Sequence, residues 1–79
     1  MTPEFVRNSV HRRPFRPFII HVAGGRRIPV ASPEFIQLPR TRDPERTSRL
    51  VVVESAGGST HVVDLLLVTD LEFPNTPML

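Results

Sequence analysis

No cysteine occurs in these 79 residues. Disulfide staples, thiolate zinc sites and thiol nucleophiles are therefore excluded together. Tryptophan and tyrosine are missing too, and five phenylalanines are the whole aromatic complement; the commonest exposed stacking platforms for nucleic acid are absent. There is no lysine, so all ten basic residues are arginine. Hydrophobic runs are short. The longest, Leu50–Val53 and Leu65–Val68, fall far below the roughly 20 residues of a membrane-crossing helix. The N-terminal stretch Met1-Thr2-Pro3-Glu4-Phe5-Val6-Arg7 shows no basic segment leading into an apolar core of signal-peptide length. No membrane association is expected, and the cytoplasm is the expected location.

A chain of this length makes one domain and buries only about 60% of the surface its unfolded form exposes. Small domains without covalent staples commonly gain stability by self-association, so a homo-oligomer is expected. The net charge of +2 hides an asymmetry. Residues 1–49 hold every arginine against Glu4, Glu34, Asp43 and Glu45, whereas residues 50–79 hold Glu54, Asp64, Asp70 and Glu72 and no base. Guanidinium groups suit phosphate oxygens, yet the net charge is small for a nucleic-acid binder. Ordinary solvated surface charge is the simpler account.

Thr2-Pro3-Glu4 is a helix start: a capping threonine, a proline at the first helical position and an acid facing the dipole. A helix is expected over about 3–12, with Phe5, Val6 and Val10 as its apolar stripe and Pro14 as its stop. From Arg16 the period becomes two, with Phe18, Ile20 and Val22 on one face of a strand. The return strand is Arg26–Ala31. A three-residue loop, Ala23 to Gly25, pairs Ile20 with Ile28 and Phe18 with Val30, which a two-residue loop does not; a type I turn with Gly25 left-handed is expected. Apolar residues on both faces mark the first strand as central or doubly covered. Ser32-Pro33-Glu34-Phe35 reads as one helical turn, Ile36–Leu38 as a short strand, and residues 40–49 as a mobile polar loop. Leu50–Glu54 and Thr60–Val63 flank a Gly-Gly turn, Asp64 caps a single turn at Leu65–Leu67, and Val68–Phe73 is the last strand. Residues 1–73 form the domain and 74–79 a frayed tail. Five or six strands behind a leading helix imply a mainly β fold, a small, bent antiparallel sheet or barrel.

Arg13-Pro14-Phe15-Arg16-Pro17-Phe18, Gly25-Arg26 before Ile28-Pro29-Val30, Pro33-Glu34-Phe35 and Val63-Asp64-Leu65-Leu66-Leu67-Val68-Thr69 together resemble a family of short bacterial proteins with the layout PFxPFxI…GRxxPV…PEF…VDLLLVTxLE. The resemblance covers most of residues 13–72 and implies no activity. The element order is similar to that of Sm-like and SH3-like small barrels. Sm-like barrels form rings and bind RNA, so the similarity implies oligomerisation and RNA binding as behaviours to look for, while fold alone fixes neither.

No catalytic constellation emerges. Ser59 precedes His61 on one strand face but lacks an orienting carboxylate and an oxyanion hole. His11, His21 and His61 have no metal-ligand spacing, although His21 and His61 can meet across a sheet. Gly24-Gly25-Arg26-Arg27 is a flexible tip beside cations without the lysine or helix of a phosphate loop. In Arg12-Arg13-Pro14-Phe15-Arg16-Pro17-Phe18, arginines interleave with aromatics as in single-strand clamps; packing is the competing account, since Phe18 is in register with the core and Phe15 can plug one end of it. The expected function is a non-catalytic interaction module, self-associating through apolar edges such as Leu50–Val53 and Leu65–Leu67. The chain is not expected to be an enzyme, needs no cofactor, and can bind a protein partner. The alternative is an RNA- or DNA-binding small barrel, with Arg12, Arg13, Phe15, Arg16, Arg26 and Arg27 as contacts.

Overall fold

The computed structural model describes residues 2–38, 49–55 and 57–74. In chain order the elements are helix α1 (Pro3–His11), strands β1 (Phe18–Val22) and β2 (Arg26–Val30), a 3₁₀ turn at Pro33–Phe35, strands β3 (Ile36–Gln37), β4 (Leu50–Glu54) and β5 (Thr60–Asp64), a second 3₁₀ turn at Leu65–Leu67, and strand β6 (Val68–Glu72). Every pairing is antiparallel, and the strands form two three-stranded sheets, β2-β1-β6 and β3-β4-β5. The chain is mainly β with a leading helix, as expected. Where a bent sheet or barrel was anticipated, the described residues form two separate sheets with no closed barrel among them.

Helix α1 carries Pro3 in its first turn and Glu4 beside it, but Thr2 makes no side-chain cap bond. The helix stops one residue short of expectation. Arg13 precedes a proline, whose ring disfavours helical backbone at that position, and Arg12 has already turned extended. Val6 and Val10, one turn apart, are buried, while Phe5 is 49% exposed. Only one side of the helix reaches the core, and Phe5 lies about 100° round from Val6. The Ser9 hydroxyl, also buried, donates to the Phe5 carbonyl at 2.9 Å.

Strand β1 is central, paired with β2 on one side and β6 on the other. Its register with β2 sets Ile20 opposite Ile28 and Phe18 opposite Val30, so a three-residue loop does join them. The turn type differs from expectation. Gly25 N donates to Val22 O at 3.1 Å, and Gly24 as well as Gly25 has positive φ, +95° and +90°. Positive φ at the third residue of a hydrogen-bonded turn is the type II pattern, which a type I turn forbids.

The last strand explains why its alternation is faint in the sequence. His21 pairs with Asp70 and Val22 with Val68, which leaves Thr69 as an extra residue in a bulge. The bulge lets Val68 be buried and Leu71 half-buried despite their odd spacing. Ile36 opposite Val53 joins β3 and β4 as arms of one hairpin. The mobile loop expected over 40–49 lies outside the described residues except for Arg49, and so does the tail beyond Pro74.

The core lies between the two sheets. Phe18, Ile20, Ile28 and Val30 meet Ile36, Val51, Val53 and Val63, with Leu65, Val68 and the two helix valines completing the cluster. Strands of period two turn these residues inward together. Phe18 is fully buried and is the largest such side chain. Phe18→Ala is expected to cost about 3–5 kcal/mol, much of the roughly 4–12 kcal/mol available to a domain of this size; urea denaturation measures it, and an unchanged midpoint would contradict this core. A methyl group at Gly24 meets nothing within 4 Å, so Gly24→Ala isolates the backbone cost. A loss of about 1–2 kcal/mol is expected in the same assay.

Candidate interaction surface

The six residues singled out as contacts do not form one patch. Arg13 Nη1 donates to the carbonyls of Arg12 and Val10 at 3.1 and 3.4 Å, closing the end of α1. The Arg16 guanidinium sits 5.5 Å from the centroid of the Phe73 ring and donates to Phe73 O at 3.3 Å and Pro74 O at 3.5 Å. It ties the chain after β6 to the start of β1. Phe15 packs at this same end, 6.0 Å from Phe18, which in turn lies 5.6 Å from Phe73. Arg26 and Arg27 stand at the other end of β1, a strand length of about 14 Å away. Arg27 Nη2 lies 3.9 Å from Glu72 Oε1, which also meets His21 Nε2 at 2.8 Å. Arg12 is exposed, with no side-chain partner among the described residues.

Arg26 and His61 make the only polar side-chain link between the two sheets among the described residues, with Arg26 Nη2 3.1 Å from His61 Nδ1. Arginine can only donate, so the ring nitrogen accepts. His21 and His61 therefore do not meet; one belongs to the outer face of the β2-β1-β6 sheet and the other to the mouth between the sheets. Ser59 is taken up by its hairpin: its carbonyl accepts from Ser55 N at 2.8 Å and its N–H donates to Ser55 Oγ at 3.2 Å.

Four strands lie at sheet edges, and they are unequally protected. Strand β2 has exposed Arg26 and Arg27 with Pro29 in its middle, β3 is two residues long, and β6 carries exposed Asp70 and Glu72. Each is blunted by charge, proline or brevity. Strand β5, Thr-His-Val-Val-Asp, carries no Asp, Glu, Lys or Arg before its last residue and is paired with β4 alone among the described residues. Its hydrogen bonding can be read from the ladder ends. Ser55 N donates to Ser59 O and Leu65 N donates to Arg49 O, both at 2.8 Å. Antiparallel alternation then uses His61 and Val63 against β4 and turns the N–H and C=O groups of Thr60, Val62 and Asp64 to the free side.

A groove of about 260 Å³ runs along this edge. Val22, Ile28, Val63 and Leu67 contribute apolar walls, with Arg26 and His61 at one rim. Exposed apolar side chains flank it: Val62 is 67%, Leu66 68% and Leu67 53% exposed. The second 3₁₀ turn is tied down beside the edge by three polar contacts. Asp64 Oδ1 accepts from Leu66 N at 3.0 Å and from Arg49 Nε at 3.1 Å, while Ala23 N donates to Leu67 O at 2.8 Å.

The expected apolar edge at Leu50–Val53 is corrected. That strand is the middle of its sheet, between β3 and β5. A legible signal exists: Val51, Val52 and Val53 make both faces apolar, the mark of a central strand. Among the described residues no helix is long and apolar enough to cross a membrane. Comparisons with protein-family models, with curated proteins and with solved structures gave no match to this chain.

The arginine placements make a direct forecast. Arg16→Ala is expected to lower stability by about 1–2 kcal/mol through the lost ring contact and carbonyl bonds, and Arg12→Ala by no more than about 0.5 kcal/mol. Paired urea titrations of the two variants check the contrast.

Proposed function

We propose that the chain is a non-catalytic interaction module, built on the small-barrel plan of Sm-like and SH3-like domains, that self-associates through β5. If β2 and β3 are taken as one strand bent at Pro33–Phe35, the order runs β6-β1-β2/β3-β4-β5 with a single 3₁₀ turn before β6. That continuous order supports the barrel plan. The observation carrying the function is the backbone of β5, paired on one side alone among the described residues, beside exposed Val62, Leu66 and Leu67. An unprotected apolar edge is a template for another strand, and a domain this small gains stability by offering it to a copy of itself.

The arginines carry less of this reading. Arg13 and Arg16 hold the termini of elements in place, Arg26 bridges the sheets, and Arg27 faces Glu72. Sedimentation of the 8.9 kDa chain alongside Val62→Lys tests the proposal. The parent is expected to sediment as an assembly, and the variant as a monomer with unchanged far-UV circular dichroism, because a lysine on an edge blocks pairing without touching the core. A parent that stays monomeric at high concentration would overturn the reading. Single-stranded RNA binding that falls steeply with salt and is lost in Arg26→Ala/Arg27→Ala would move it to the nucleic-acid alternative.

A further inference from the structure

We infer that the partner strand is β5 of a second copy, laid antiparallel about a twofold axis through Val62. This rests on the self-association reading and adds its symmetry, register and size. The outward-turned groups are those of Thr60, Val62 and Asp64, an evenly spaced set centred on Val62. Inverting a second β5 on that centre sets Val62 against Val62 and Thr60 against Asp64 of the other copy. All five residues of the strand are then paired, and about six hydrogen bonds form. The two β3-β4-β5 sheets become one continuous sheet.

Other registers are poorer for reasons visible in the chain. Sliding the copies toward their C-terminal ends shortens the ladder and brings the two Asp64 carboxylates together; like charges directly opposite are destabilising. A parallel arrangement in register opposes the same carboxylates. Sliding the other way runs the ladder into the turn at Gly57–Gly58, where Gly58 has φ +88° and leaves extended backbone. In the centred register that turn is an asset. It falls beside Leu66 of the other copy, and neither glycine has an atom within 4 Å of where a side chain would begin, so exposed Leu66 has room to lie over it.

Side chains continue the match. On the outer face Val52 is opposite Val62 within each sheet, so the joined sheet carries an unbroken row of Val52, Val62, Val62 and Val52 across the axis. Aliphatic cross-strand contacts of this kind stabilise a sheet. The interface is isologous, and such a contact closes at two copies.

The absence of cysteine makes the register directly readable. In an otherwise cysteine-free chain, Val62→Cys places two thiols on a hydrogen-bonded pair with Cα atoms about 5.5 Å apart, close enough for a short bismaleimide to bridge although wider at Cβ than a direct disulfide prefers. With a short bismaleimide, the Val62→Cys protein is expected to shift mostly to a covalent dimer on denaturing gels. Thr60→Cys alone should not, but should cross-link when mixed with Asp64→Cys. If Asp64→Cys fails to fold for want of its 3₁₀ cap, the contrast between positions 62 and 60 decides alone. A parent that sediments as an assembly while Val62→Cys stays uncross-linked would overturn the twofold and leave self-association standing. Equal cross-linking at 60 and 62 would overturn the fixed register, and a parent assembly larger than a dimer would overturn closure. A monomeric parent would overturn both readings together.

Discussion

Burial of one inward face from each sheet is the constraint on which everything else hangs. The chain has no covalent staple, and its only large core aromatic is Phe18. Short β-branched residues do the remaining work, with valines and isoleucines from β1, β2, β3, β4 and β5 meeting between the sheets. Such side chains pack well on a pleated surface and lose little rotamer freedom there. With so few of them, the two ends of the core need separate closure.

Each end is closed in its own way. At one, Phe15, Phe18 and Phe73 pack as tilted rings, the Arg16 guanidinium lies over Phe73, and the carbonyls of Phe73 and Pro74 just after β6 accept from Arg16. At the other, the closure is polar: Arg26 meets His61 across the mouth, and a groove remains open beside them. The asymmetry gives the molecule a sealed end and an accessible one. Arginine suits both tasks, since its planar head stacks on rings and its fork reaches several acceptors. Arg13, Arg16, Arg26 and Arg27 are in this way divided among separate contacts rather than gathered into one field.

The accessible end also holds β5, paired on one side alone among the described residues. Capping of the second 3₁₀ turn by Asp64, with Arg49 on the same carboxylate and Leu67 tied to Ala23, fixes how β5 leaves its sheet and how Leu66 and Leu67 are presented. An edge tied at its end in this way loses less conformational freedom when a strand adds to it, which favours association.

Much of this was legible in the residues. The period-two pattern of Phe18, Ile20 and Val22, the proline-led helix start, the three-residue loop and the Asp64 cap all arise from interactions within a few positions or across a single hairpin, where local geometry determines the outcome. Turn detail escaped because Ala-Gly-Gly accommodates more than one backbone path. The faint alternation of the last strand hid a bulge at Thr69, which only pairing with β1 could create. Sheet edges were the larger miss. Apolar residues on both faces of β4 marked it as central, but that β5 stands at the rim among the described residues depends on which strands pair over long separations. Likewise, the sequence by itself put five arginines in one stretch, whereas tertiary structure set them at opposite ends of β1. Local chemistry decided the elements; long-range burial decided which strands stand at the sheet edges among the described residues.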